Sequence, residues 1–326
     1  MRAVVARAVD ACAREGRRAR ARDAARRMSA RARWTTGRGG AGTRATRARE
    51  RAFAGRRACS CARAGVEDIG TIEVWCLDGT TRGGDAAATT SRASALAGED
   101  EVEALGGNSA RLIARAFLRR VLATHGGRGV KAREVRFELG ERGKPRVVAP
   151  RALEGTYFSL SHCDGLTAVC VSTHGEIGID VEDENRRIGS DVMKFARRWL
   201  SPNEREALEA VRDDDERARA FMRLWTAKEA YVKALGLGIA GRPFREFDID
   251  FGSSLDVRDD AASDGGASWR LAQFRPRADD SHVLSLCALA NADGTLPPVR
   301  ARWATLFDDD GVTEADFVLL NQSRRE

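Results

Sequence analysis

Residues 1–66 carry nineteen arginines, no lysine and only four acidic residues, a local net charge of +15. A stretch of this composition is expected to be disordered, so the folded body starts at about residue 67. It is Arg-, Ala-, Ser- and Thr-rich and poor in acids, which is the composition of an organelle transit peptide, with chloroplast ahead of mitochondrion. If it is not a targeting sequence, the expectation is a cytoplasmic protein. A basic arm for nucleic acid is the alternative, but it would want aromatic or lysine interleaving, and only Trp34 and Phe53 appear. The other 260 residues hold 36 basic and 44 acidic side chains, a net of −8, so the overall +7 misdescribes the body.

The body mixes strand and helix signals without strict alternation, which points to an α+β fold. TIEVWCLDG (71–79) reads as a strand closed by a turn, and 80–108 as loop with a short helix. Residues 109–127 have helical spacing ended by Gly126-Gly127. Residues 156–182 read as a short strand, a polar turn and two further strands. Helices follow at about 189–199, 201–213 and 215–236, the second opened by Ser201-Pro202-Asn203-Glu204 with a cap, a first-position proline and a glutamate. Helix followed by strands occurs in 109–182 and again in 215–290, the outline of a duplicated architecture. Seven scattered cysteines lack zinc spacing and read as reduced thiols, and no run of about 18 apolar residues exists to span a membrane.

Four short stretches carry possible chemistry. In GEIGIDVE, Ile177, Ile179 and Val181 alternate with Gly178, Asp180 and Glu182, placing two carboxylates on one strand face about 7 Å apart. An ordinary half-buried strand with a solvated acidic face gives the same alternation. Hard oxygen ligands at this spacing also suit Mg²⁺. In WTAKEAYVK, Trp225, Glu229 and Lys233 fall on one helix line with Lys228 one step round. Only five lysines stand against fifty arginines, and two of them are here, although arginine would serve a surface ion pair equally well. This favours a need for a compact ammonium or a tunable proton donor. Gly143-Lys144-Pro145 reads as a turn presenting Lys144. In FSLSH, Phe158 and Leu160 face inward, and Ser159 and Ser161 share the other face with His162 opening the turn. A hydroxyl and an imidazole there could contact phosphate.

In this order, GKP, FSLSH, GIDVE and WTAKEAYVK, the series resembles the 4′-phosphopantetheinyl transferase family, in its large monomeric surfactin-type (holo-acyl-carrier-protein synthase) branch, from about Thr71 to Phe251. The resemblance implies a pseudo-twofold pair of similar α+β subdomains, 67–185 and 186–326, with the active site between them. It implies transfer of 4′-phosphopantetheine from coenzyme A to a serine of an apo acyl carrier protein, as in fatty acid biosynthesis. Asp180, Glu182 and Glu229 would hold Mg²⁺. Glu229, Lys233 and Lys228 would be catalytic, with Lys228 on the pyrophosphate or orienting Glu229. Ser161 and His162 would contact the 3′-phosphate and Lys144 a phosphate of the nucleotide end. The family's basic segment before the first long helix is altered here, and Arg111, with Arg115, is the substitute. A monomer is expected, with neither nucleic acid nor membrane as partner. The rival readings are a metal-dependent nuclease and a coenzyme A- or carrier-binding protein without turnover.

Overall fold

The computed structural model describes residues 70–324 apart from 80–85, 106–107, 141, 187–190, 263–264, 267 and 308–311. The expected targeting segment, 1–66, lies outside the described residues. Among these residues the main strands are β1 (Ile72–Asp78), β2 (Arg136–Leu139), β3 (Pro145–Ala149), β4 (Tyr157–Cys163), β5 (Leu166–Ser172), β6 (Ile177–Asp183), β7 (Asp248–Ile249), β8 (Val257–Arg258), β9 (Trp269–Arg275), β10 (His282–Leu289), β11 (Val299–Trp303), β12 (Thr313–Glu314) and β13 (Val318–Gln322). The helices that matter here are α1 (Ala86–Leu96), α2 (Glu99–Leu105), α3 (Ser109–His125), α4 (Val192–Trp199), α5 (Pro202–Glu209) and α6 (Asp214–Leu235). The stretch 80–108, expected as loop with one short helix, thus holds α1 and α2.

Alternation along the strands divides the apolar residues among three cores. Ile72, Val74 and Cys76 of β1, Ala168 and Cys170 of β5, Ile177, Ile179 and Val181 of β6 and Leu284 and Leu286 of β10 form the core between the two main sheets. Trp75 and Leu77 of β1 and Val169 and Val171 of β5 point the other way, onto Leu112, Phe117, Val121 and Leu122 of α3. On the far face of the second sheet, Leu271 and Cys287 meet Ala227, Ala230, Tyr231 and Ala234 of α6. The layer order is therefore helix, sheet, sheet, helix, the same from either end, as a pseudo-twofold α+β fold requires.

The first sheet runs β12-β11-β1-β5-β4 and the second β13-β9-β10-β6. The expected cut at residue 185 does not separate them. β6 lies before the cut yet belongs to the second sheet, and β11 returns from the C-terminal side to pair in parallel with β1. Strands β5 and β6, adjacent in sequence, sit in different sheets, so Thr173–Gly175 is a crossing rather than a hairpin. The sheets converge where the edge strands β4 and β6 meet. There Ser159 Oγ accepts from the Ile179 amide at 3.1 Å and Ser161 Oγ donates to Asp180 Oδ1 at 2.7 Å. Side-chain hydroxyls do at this seam what a backbone ladder does elsewhere.

Helix α6 lies against the Gly178-Asp180-Glu182 face of β6, and the reason is local. A Cβ on Gly178 would overlap the Ala230 carbonyl oxygen and stand 2.5 Å from the Ala234 nitrogen, so only glycine admits the helix backbone. Asp213 caps the helix by accepting from the Glu216 amide at 2.8 Å, and Gly236 ends it in the left-handed conformation at φ 69°. Gly178→Ala should therefore lower folding stability by about 3 kcal/mol or more, as overpacking against rigid backbone does. A urea-unfolding midpoint matching wild type would show that the helix does not approach this closely.

Candidate active site

The strand and helix that carry the acidic residues face each other. Asp180 is 5% exposed, so the acidic face of β6 is covered by α6 rather than solvated. Lys233, on the last full turn of α6, donates to Asp180 Oδ1 at 2.6 Å and to the Ile179 carbonyl at 3.1 Å. Glu182, two residues along β6, is half-buried and paired with Arg186 at 2.6 Å. Glu229, one helical turn before Lys233, completes the group.

Crowding three carboxyls against one ammonium has the expected electrostatic result. Burial, then the neighbouring Asp180 charge, pushes the Glu229 carboxyl up to about 7, with Lys233 opposing. Burial and Asp180 likewise raise Glu182, with Arg186 opposing. For Lys233, burial alone would lower the ammonium's pKa, but Asp180 and Glu229 reverse this and hold it above the usual lysine value. Asp180 Oδ2 is buried and has no hydrogen-bond partner. A buried carboxylate oxygen without a donor is costly unless a cation meets it.

These residues fit a divalent cation. The donor set is all oxygen and acidic, and the orphaned Oδ2 offers one ligand. Among the described residues no group of three or more His, Cys, Asp or Glu side chains is placed to hold a metal ion by itself. The protein would thus supply part of a coordination sphere, and phosphate oxygens and water the rest, which is the arrangement Mg²⁺ favours.

Other residues expected at the site are placed differently. Lys228 is 0% exposed and faces away from the cluster. Its ammonium pairs with Glu204, donates to the Phe247 carbonyl at 2.7 Å and lies 4.0 Å from the centre of the Phe247 ring. One residue along a helix is about 100° of rotation, which takes Lys228 into the core while Glu229 meets β6. It can neither touch a pyrophosphate bound at the cluster nor reach Glu229 from that side. Burial, opposed by Glu204, lowers it to about 8. Its partner Glu204 is the capping-box glutamate of α5: one oxygen accepts from the Ser201 amide at 3.1 Å, the other from the Ile249 amide at 2.8 Å and from Lys228.

Lys144 is not displayed at a loop tip. It folds back onto Glu176 at 2.6 Å and onto the carbonyls of Ile177 at 2.9 Å and Ala234 at 3.3 Å, tying the β2–β3 hairpin to the end of α6. The free carbonyls at a helix C-terminus favour a cation there. Ser161 and His162 do not share a ligand-facing side either. Both lie in regular strand, paired through Ser161↔Ala168 and His162↔Thr167, so their side chains point oppositely: Ser161 is buried on Asp180, His162 exposed. Arg111 is exposed in the first turn of α3, where Asn108 accepts from its backbone amide at 3.1 Å. Arg115 is half-buried on the same helix. Trp225 packs against Phe221, Phe244 and Trp199 at ring distances of 6.0, 5.0 and 6.0 Å.

Two of these arrangements can be tested. Lys228→Met leaves Glu204 buried and uncompensated and should cost about 3–5 kcal/mol in urea unfolding. Combining it with Glu204→Gln, which keeps the cap, should recover most of that loss. A raised carboxyl stabilises the fold fully below its unfolded value of 4.5, and that stability is lost as pH climbs through about 7. Thermal unfolding of the full chain in chelator should therefore fall off more steeply over this window in wild type than in Glu229→Gln. Parallel curves would refute the burial assigned to Glu229.

The chain is similar in sequence to known proteins of one family. The profile of the 4′-phosphopantetheinyl transferase superfamily matches residues 176–287, which hold β6, α6 and most of β10. The 4′-phosphopantetheinyl transferase HetI of Nostoc sp. is 35% identical over 172 residues, covering 53% of this chain and 67% of HetI. A phosphopantetheinyl transferase of Thraustochytrium sp. is 29% identical over 211 residues, 56% of this chain and 67% of the relative. For Sfp of Bacillus subtilis the values are 33% over 107 residues and 44% of that protein's length. The crystal structure of Thermotoga maritima holo-[acyl-carrier-protein] synthase aligns over 35% of this chain and 62% of its own, at 25% identity and a TM-score of 0.26. With Asp180 and Glu182 on the strand and Glu229 and Lys233 on the helix inside the matched segment, the chain belongs to the 4′-phosphopantetheinyl transferase superfamily.

Proposed function

We propose that the protein transfers the 4′-phosphopantetheine group of coenzyme A to a serine hydroxyl of an apo acyl carrier protein, in a Mg²⁺-dependent reaction that releases adenosine 3′,5′-bisphosphate. The observation that carries this reading is the unpartnered, buried Asp180 Oδ2 in a cleft shared with Glu182, Glu229 and Lys233. Asp180, Glu182 and Glu229 would hold the cation. Bound there, it would offset the charge of the coenzyme's diphosphate.

The chain's own groups do the rest. The serine oxygen forms a bond to the phosphorus bearing pantetheine, and the bond from that phosphorus to the bridging oxygen breaks. The electron pair leaves with the nucleotide phosphate. Glu229 takes the serine proton. The Lys233 ammonium, held charged by Asp180, faces the negative charge gathering on the phosphates. The protein acts as a monomer, and residues 1–66 direct it to a plastid or mitochondrion.

Incubating the full chain with coenzyme A, Mg²⁺ and an apo carrier, then weighing the carrier by mass spectrometry, tests the reading. The carrier should gain one phosphopantetheine on a serine. Loss of the proton acceptor typically costs about 10²–10⁴-fold in rate, so Glu229→Gln should reduce transfer to that extent while leaving the far-UV circular dichroism unchanged. An unmodified carrier, or normal turnover by the variant, would remove the assignment.

A further inference from the structure

We propose that Arg186 is an exchangeable counter-ion at the cation site: it holds Glu182 in the absence of a cation and releases it when a divalent cation binds. This rests on the reading of the site given above and concerns what a cation must displace in order to enter. Two of the carboxylates in the cleft are already held by basic side chains. Lys233 donates to Asp180 Oδ1 at 2.6 Å, and Arg186 Nη1 donates to Glu182 Oε2 at 2.6 Å.

The two basic residues are anchored differently. Lys233 comes from α6, which is capped at both ends, and it has a second bond to the Ile179 carbonyl at 3.1 Å. Arg186 comes from the turn that follows β6, where its amide donates to the Asp183 carbonyl at 3.0 Å. Among the described residues its side chain has no second hydrogen bond or ion pair. That side chain is 33% exposed, so a displaced guanidinium moves into water rather than into a core. A part-exposed ion pair of this kind is weak, and a divalent cation outcompetes it for the carboxylate.

Glu184, two residues further on, shows the contrasting case of a permanent pair. It is 5% exposed and meets two guanidinium groups, Arg223 of α6 at 2.8 Å and Arg275 of β9. Both arginines stand on regular elements, and Arg223 is held further by Glu216 at 3.2 Å. Glu182 has one guanidinium, supplied by a turn. The charges of the cleft lead to the same conclusion. Three ionised carboxylates balance one ammonium and one divalent cation, so the guanidinium becomes the surplus charge once a cation is present, and like charges repel. Without a cation, Arg186 offsets the burial and the Asp180 charge that push the Glu182 carboxyl up.

Mn²⁺ binding to the full chain without coenzyme A, followed by electron paramagnetic resonance, tests this in wild type, Arg186→Gln, Glu182→Gln and the double variant. Removing a competing charge at ion-pair distance should tighten binding about 10-fold in Arg186→Gln. In the Glu182→Gln background the guanidinium has no carboxylate to hold and is screened by solvent, so the same substitution should change affinity by about 2-fold or less. Labelling of Arg186 by phenylglyoxal, located by peptide fragmentation, should rise when Mg²⁺ is added to wild type and should not respond to Mg²⁺ in Glu182→Gln.

Equal or weaker Mn²⁺ binding by a folded Arg186→Gln overturns the proposal, and so does an equal gain in both backgrounds. Labelling of wild type that Mg²⁺ leaves unchanged or lowers overturns it as well, and this result decides alone should Arg186→Gln not fold. In each case the transferase reading stands if wild type still modifies the carrier. If wild type binds no Mn²⁺ at all, the proposal and the cation-dependent reading fall together.

Discussion

The close approach of α6 to β6 at Gly178 is the constraint on which the site depends. Helix and strand backbones cannot come this near with any side chain between them. Because they do, Asp180 two residues further along the strand lies under the helix line that holds Glu229 and Lys233. The carboxylates are thereby desolvated, and desolvation leads the causes that raise Glu182 and Glu229. A glycine with no chemistry of its own thus sets the electrostatics of three charged neighbours.

The scarcity of lysine has a divided explanation. Lys233 sits in the cleft and ties strand to helix through Asp180. Lys228 is fully enclosed, where a guanidinium with five donors would find only a carboxylate and one carbonyl to satisfy it. Lys144 fits three acceptors at a helix end, a task for a compact tetrahedral ammonium. Of these three lysines only Lys228 is fully enclosed, and only Lys233 is among the acidic residues of the cleft.

Much of this was legible in the sequence. The alternation in IGIDVE placed Ile177, Ile179 and Val181 in the core, the SPNE capping box opened α5, and Gly236 ended α6, all through local rules of period and capping. Tertiary facts were not legible. That the acidic face of β6 is roofed by a helix depends on what packs there, which strand periodicity does not encode. The direction of Lys228 was open because a motif names residues in order, whereas a helix turns each by 100°. Lys144 looked like a loop tip because turn chemistry says nothing of where the side chain folds back. The partner of Lys228 was hidden inside a capping motif that already explained Glu204. The opposed directions of Ser161 and His162 could have been read from strand alternation alone.

The return of the chain's last strands has a further implication. β11 and β12 extend the first sheet beside β1, whereas β13 closes the second beside β9, so the final thirty or so residues complete both layers. The two halves of the sequence are interleaved in both layers, so dividing the chain at residue 185 would separate β6 from the rest of its sheet and β11 and β12 from theirs.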